Sequence, residues 1–179
     1  MSTRCNEEML KRLLSKEEIE DCVRGLARSI EQDFPGEELI FVCLLKGSFM
    51  FTSDLIRHVS NRSTVDFMRV SSYGTGMTSK GQVTVTKDLE ENIEGENVII
   101  VEDIVDSGLT LKFVTEMLKQ RRPRVLKICA LLDKRARREE DIHVDYVGFA
   151  IPDGFVVGYG IDYAEHYRNL PEIYVVETD

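Results

Sequence analysis

Short apolar runs alternate along this chain with helix-patterned stretches, and that alternation constrains the fold most. Leu39 to Leu45, Val65 to Ser71, and residues 98–102, 125–132 and 145–151 read as strands. Residues 16–32, 49–60 and about 109–120 carry helical patterning. Ser15 stands at an N-cap, with Glu18 at the capping-box position. Phe34-Pro35-Gly36 breaks the first helix, Lys46-Gly47-Ser48 turns the first of these strands into the second helix, and Glu94 to Asn97 and Pro152-Asp153-Gly154 are further turns. Residues 72–81, SYGTGMTSKG, bury almost nothing and read as a mobile loop at the tip of a hairpin whose return strand is Gln82 to Lys87. The pattern predicts an α/β fold with a mainly parallel central sheet flanked by helices. Ligands bind such sheets at the carboxyl ends of the strands. Lys46-Gly47 and the stretch from Glu102 to Thr110 both lie at such ends.

A length of 179 residues with no repeat or linker predicts a single domain, 1–179. Acidic residues number 32 against 23 basic ones, a net charge of −9 that argues against a general nucleic-acid binder. The basic run Lys134 to Arg138 is the local exception and reads as a solvated loop. The cysteines have no metal-ligand spacing, and Cys43 and Cys129 fall inside apolar runs. This usage predicts a reducing, cytoplasmic setting. No apolar run is long enough to span a bilayer, so no membrane partner is expected.

The chemistry concentrates in residues 98–111, VIIVEDIVDSGLTL. Four apolar residues lead into Glu102 and Asp103, and Asp106 follows three positions later. Ser107-Gly108-Leu109-Thr110 then opens a helix with small and hydroxyl-bearing groups. Consecutive N–H groups at a helix N-terminus form an anion nest suited to a phosphate monoester. Glu102 and Asp103 would repel a phosphate if aimed into that nest. They suit sugar hydroxyls or a hydrated metal instead. Asp106 suits a base, or a carboxylate favouring a developing positive charge. The structural alternative is a capped helix with solvated acids, with Ser107 or Asp106 as N-cap. The string lacks the G-x-x-x-x-G-K-[ST] spacing of a P-loop, and no G-x-G-x-x-G follows the first strand.

The string resembles the phosphoribosyl pyrophosphate motif of the type I phosphoribosyltransferases: two hydrophobics, an acidic pair, two apolar residues, then D-[ST]-G-x-T. The resemblance extends to LLKGSF (44–49), VDFMRVSSYG (65–74), LLDKR (131–135) and IPDGFVVGYGIDYAEHYRNLP (151–171), covering about residues 39–171. These segments are similar to the branch of the family that acts on hypoxanthine and guanine.

The resemblance implies a type I phosphoribosyltransferase fold with a small hood formed by the terminal segments and a flexible hairpin loop. It implies transfer of 5-phosphoribosyl from phosphoribosyl pyrophosphate to N9 of a 6-oxopurine, with Mg2+ as cofactor. Lys46 and Gly47 match the pyrophosphate loop, where the family often has a non-proline cis bond, which would be Leu45-Lys46 here. Ser72 and Tyr73 match the start of the catalytic loop. Glu102 and Asp103 match the ribose and metal carboxylates, and Ile104, Ser107, Gly108, Leu109 and Thr110 belong to the same substrate-binding run. Asp106 matches the base that takes the purine N7 proton. Lys134 matches the donor to the 6-oxo group, Phe155 the stacking aromatic and Val156 the backbone contact to the base edge. Asp162 matches a carboxylate near the metal, and Arg168 a pyrophosphate contact. A homodimer or homotetramer is implied. From residues alone, Lys46-Gly47 also reads as a helix-start turn with a surface lysine, and Phe155 as core packing. Two other functions compete: a non-catalytic nucleotide-sensing regulator of RNA or DNA, and a transferase for adenine or a pyrimidine. The intact Asp106 and the negative charge argue against the first. Lys134 with Phe155-Val156 argues against the second.

Overall fold

The structure, a computed structural model, describes residues 10–73 and 82–176. Elements follow in chain order as β1 (Leu10–Leu14), α1 (Lys16–Asp33), β2 (Leu39–Leu45), α2 (Phe49–His58), β3 (Ser63–Tyr73), β4 (Gln82–Lys87), β5 (Asn97–Val105), α3 (Leu109–Lys119) and β6 (Val125–Asp133). A short 3-10 turn (Arg135–Arg137) precedes β7 (Tyr146–Ala150), β8 (Phe155–Val157) and β9 (Ile173–Val176).

The larger sheet has the order β4-β3-β2-β5-β6-β7. All its pairs are parallel except β3 with β4, which form an antiparallel hairpin. The chain leaves β2 through α2 to reach β3 on one side, then returns to place β5 on the other. The order therefore reverses between β2 and β5, and a crevice opens at their carboxyl ends.

Two apolar cores fix the helix layers. Ile19, Val23, Leu26, Ala27 and Ile30 recur at helical spacing along α1 and pack with Phe51 and Leu55 of α2. These helices cover Phe41, Ile99, Val101 and Leu131 on one face of the sheet. Leu111, Val114 and Leu118 of α3 cover Val42, Leu44, Val98, Ile100 and Ala130 on the other. Neighbouring strand residues thus feed opposite cores, as the two-residue period of a strand requires. The Ser15–Glu18 capping box is formed, and α1 stops at Phe34 before Pro35. Cys43 and Cys129 are buried. Among the described residues, no helix is long and apolar enough to cross a membrane.

Several elements depart from the sequence reading. β5 runs on to Val105, three residues past the predicted strand of 98–102, because β6 continues to pair with it at Ile104↔Leu132 and Val105↔Asp133. The acid pair therefore lies inside a strand, not beyond its end. β1, β8 and β9 were not expected as strands, being only three to five residues long. They form a second sheet, β1-β9-β8, that joins the chain ends. Leu14, Val156 and Ile173 seat it on the core shared with α1 and α2. The expected mobile loop at 72–81 lies, from residue 74 on, outside the described residues. Its flanks pair as Tyr73↔Gln82.

Candidate functional site

The pleat of β5 separates the two acids. Glu102 shares the parity of Val98 and Ile100 and lines a cavity of about 180 Å³ with Asp106, Ser107, Gly108, Thr110 and Leu111. Asp103 shares the parity of Ile99 and Val101 and turns toward the start of α2. It lies so close to Gly47 that a Cβ there would sit 1.8 Å from its Oδ2. Burial, with the charge of Asp103 adding to it, pushes the Glu102 carboxyl well above the usual carboxylate range. A cation or a donor in that cavity would restore its charged form.

The cavity floor is the turn into α3. Gly108 caps the helix at φ 85°, a left-handed conformation that a side chain would strain. Gly108 has no side chain to cap the helix, but Leu109 N donates to Ser107 Oγ at 3.4 Å, so the capping alternative is met in part by the serine. First-turn N–H groups have no carbonyl four residues back. Ser107, Gly108 and Thr110 line the cavity, while the Ser107 carbonyl accepts from the Glu139 and Glu140 amides. Leu109 is exposed.

At the neighbouring strand end, the Leu45-Lys46 bond is cis. The loop after β8 packs onto this turn: a Cβ on Gly160 would meet the Gly47 carbonyl oxygen at 2.2 Å. Lys46 Nζ donates to Glu165 Oε2 at 2.8 Å. Arg168 lies 2.7 Å from Asp162 Oδ1 and 3.5 Å from the same Glu165 oxygen, and its NH1 donates to the Gly160 carbonyl. Lys46 holds the Glu165 carboxyl below the usual range. Ala164 and Glu165 both adopt positive φ, which sets this tight turn and presents Glu165 to the two cations.

On the far side of β5, Lys134 is 4% exposed and stands 3.7 Å from Asp106 Oδ2. Arg137 reaches the same oxygen at 3.7 Å. The other oxygen, Asp106 Oδ1, is buried without a hydrogen-bond partner. Phe155 is 54% exposed, so it is not core packing, and the Arg137 guanidinium carbon lies 6.0 Å from its ring centre. Tyr163 meets it edge-on, with centroids 6.3 Å apart. Val156 behind it is buried and pairs with Val175 of β9.

The basic run is in part the solvated loop expected of it: residues 135–137 are exposed, but Lys134 is buried. Asp133, buried at the end of β6, binds Arg135 and Arg138, and Arg138 also donates to the Ile142 carbonyl. A buried carboxylate must be paired, and these arginines pair it. Lys134 and Arg137 are thereby fixed toward Asp106.

The structure thus gathers the sequence candidates into one rim around the ends of β2, β5 and β6. Lys46, Gly47, Asp103, Asp162 and Arg168 make one end. Glu102, Ile104 and Ser107 to Thr110 make the middle, and Asp106, Lys134, Phe155 and Val156 the other end. Ser72 and Tyr73 lie at the end of β3. Sequence reasoning passed over Glu165, Arg137 and Gly160. The density of charge in 134–138 was a signal for Arg137; nothing local marked the other two.

Comparison with known proteins follows the same outline. A family model for the phosphoribosyl transferase domain matches residues 9–164. A hypoxanthine-guanine phosphoribosyltransferase of Aquifex aeolicus is 49% identical over 169 residues, covering 94% of this chain and 95% of the relative. A hypoxanthine phosphoribosyltransferase of Salmonella typhimurium is 52% identical over 163 residues, 90% of this chain and 92% of the relative. The crystal structure of a hypoxanthine phosphoribosyltransferase from Staphylococcus aureus superposes with a TM-score of 0.91 at 45% identity, over 98% of this chain and 97% of that one.

Proposed function

The chain belongs to the phosphoribosyl transferase family, and from that premise we propose that it transfers 5-phosphoribosyl from phosphoribosyl pyrophosphate to N9 of hypoxanthine, and of guanine. The products are the purine nucleotide and pyrophosphate, a purine-salvage reaction. The observation that carries this reading is the convergence of three chemically distinct stations on one crevice. An anion cavity, a cation pair and a lysine–carboxylate couple match the three parts of the two substrates.

The α3 turn receives the 5′-phosphate through its first-turn N–H groups and the Ser107 and Thr110 hydroxyls. Glu102 and Asp103 accept from the ribose hydroxyls. Lys46 and Arg168 balance the charge of the departing pyrophosphate. The C1–oxygen bond to pyrophosphate loosens ahead of bonding to the base, and carboxylates around the ribose favour the positive charge that develops. Phe155 offers a face for stacking. Lys134 donates to the 6-oxo group while the Asp106 carboxylate accepts the N7 proton, which turns N9 into the better nucleophile. The 6-oxo group and N7 share one edge of a purine, and Lys134 and Asp106 are neighbours in the same way.

Magnesium belongs to the same reading. The Glu102 and Asp103 carboxylates are hard oxygen donors, and Mg2+ commonly takes one or two carboxylates plus substrate phosphates and water. Glu102, Asp103 and Asp162 are the residues that would hold it. When bound, it neutralises pyrophosphate charge as the leaving group departs. Assembly as a homodimer or homotetramer is part of this proposal and is read by analytical ultracentrifugation.

The test is the initial rate of IMP formation from phosphoribosyl pyrophosphate and hypoxanthine, with Mg2+ and with excess EDTA. Nucleotide in the first case and none in the second is expected. Absence of nucleotide in both overturns the proposal.

A further inference from the structure

Arg137 occupies a place that the phosphoribosyl-transfer reading leaves without a role. Its guanidinium joins three groups drawn from separate segments. NH1 stands 3.7 Å from Asp106 Oδ2 at the end of β5. Nε stands 3.0 Å from Asp153 Oδ1 in the turn before β8. The guanidinium carbon lies 6.0 Å from the centre of the Phe155 ring. A planar fork can serve two carboxylates on two edges while its face rests on an aromatic ring, and a lysine cannot.

The backbone around Arg137 is itself held. Arg137 N donates to the Lys134 carbonyl within the 3-10 turn. The turn is flanked by Arg135 and Arg138, both bound to the buried Asp133. Lys134 Nζ lies 3.7 Å from the same Asp106 oxygen that Arg137 approaches. Both cations therefore draw on Oδ2, and Oδ1 is left buried and unpartnered.

We propose that Arg137 is a positioning residue: it locks the Asp106 carboxylate and the Asp153–Phe155 wall into one frame, so that a purine stacked on Phe155 meets the Asp106 carboxylate in register. The inference rests on the transfer reaction proposed above. Arg137 acts through Asp106 and Phe155 and need not touch the substrate. The 5′-phosphate and pyrophosphate stations are built from other residues and do not depend on it.

The experiment compares wild type, Arg137→Met, Arg137→Lys, Asp153→Asn and the Arg137→Met/Asp153→Asn double variant. Each is assayed for kcat, for KM of hypoxanthine and of phosphoribosyl pyrophosphate, and for thermal unfolding. Misplacement by about 1 Å costs up to roughly a hundredfold, so Arg137→Met should lose roughly ten- to a hundredfold in kcat/KM for hypoxanthine. Its KM for phosphoribosyl pyrophosphate and its melting temperature stay at the wild-type values. Arg137→Lys should remain closer to Met than to wild type, because charge without the fork does not hold two segments. Asp153→Asn should lose part of the same effect, and the double variant should be no worse than Arg137→Met alone, since both remove one frame. Asp153 is exposed in a turn, so that variant keeps the test open if Arg137→Met does not fold.

Wild-type constants in Arg137→Met or Arg137→Lys overturn the proposal, as does a lower KM for hypoxanthine, which would mean that Arg137 occupies the base's place on Phe155. Strictly additive losses in the double variant overturn it as well. An active wild type with such results leaves the transfer reading standing. A wild type that makes no nucleotide overturns both.

Discussion

Replacing Gly47 by alanine tests the crevice at its tightest point. The added methyl lies 1.8 Å from Asp103 Oδ2 and 2.5 Å from its Cγ, where ordinary contact begins at 3.4 Å. One side must yield. The Gly47 backbone is wedged from behind, since its carbonyl oxygen is the atom that crowds Gly160. Asp103 is the part free to move, so its carboxylate retreats by roughly 1.5 Å to regain contact distance. Turning the side chain away from its preferred rotamer costs roughly 0.5–1.5 kcal/mol. For a chain of this size that lowers Tm by no more than about 6 °C. The effect on chemistry is larger, because displacement of a reacting group by about 1 Å costs on the order of a hundredfold. That corresponds to about 2.7 kcal/mol of transition-state stabilisation. Steady-state IMP formation at saturating hypoxanthine, with phosphoribosyl pyrophosphate varied, gives the loss in kcat/KM, and calorimetric unfolding gives the stability. A folded Gly47→Ala enzyme with kcat/KM within about threefold of wild type would refute the placement of Asp103 at the reacting centre. Asp103→Asn combined with Gly47→Ala should then lose little beyond either alone.

Three other perturbations have defined outcomes. Asp106→Asn should lower turnover by roughly 10²- to 10⁴-fold while IMP affinity, measured by titration calorimetry, stays near wild type; near-normal turnover contradicts the base assignment. Glu165→Gln removes an anion that sits between Lys46 and Arg168, so pyrophosphate with Mg2+ should bind roughly two- to fivefold more tightly, and weaker binding would make Glu165 a contributor to the pyrophosphate station. Asp33 accepts from Lys127 and Tyr146, and these bonds hold its carboxyl below the usual range. A depressed carboxylate stabilises the fold above its unfolded value, and the gain is lost as pH falls through the folded one. Asp33→Asn should therefore destabilise the fold at neutral pH by no more than about 1 kcal/mol for so exposed a pair, and the gap in Tm to wild type should close in acid; a constant gap across pH contradicts the ionic origin.

Much of this was legible before any coordinates. The capping box at Ser15 and the break at Pro35 are local chemistry, and α1 begins and ends where they require. Apolar runs without alternation marked strands buried on both faces, and the acid pair with Asp106 marked the site. What stayed hidden depends on partners far away in sequence. β5 reaches Val105 only because β6 continues beside it, and nothing within residues 103–105 shows that. β1, β8 and β9 are too short to carry a period and exist because each completes another's hydrogen bonds. Lys134 to Arg138 is a charge run by composition, yet the buried Asp133 at the end of β6 turns part of it inward. Glu165 stands in a polar segment of ordinary appearance, and its role appears only where the loop after β8 folds onto Lys46.

The most direct measurement is a competition among acceptors. The protein is incubated with Mg2+, phosphoribosyl pyrophosphate and equal concentrations of hypoxanthine, guanine, adenine and uracil, and nucleotides and pyrophosphate are quantified together. The crevice described here predicts IMP and GMP, one pyrophosphate released for each nucleotide made, and no adenine or uracil product. AMP or UMP as the main product, or pyrophosphate release without any nucleotide, would contradict it.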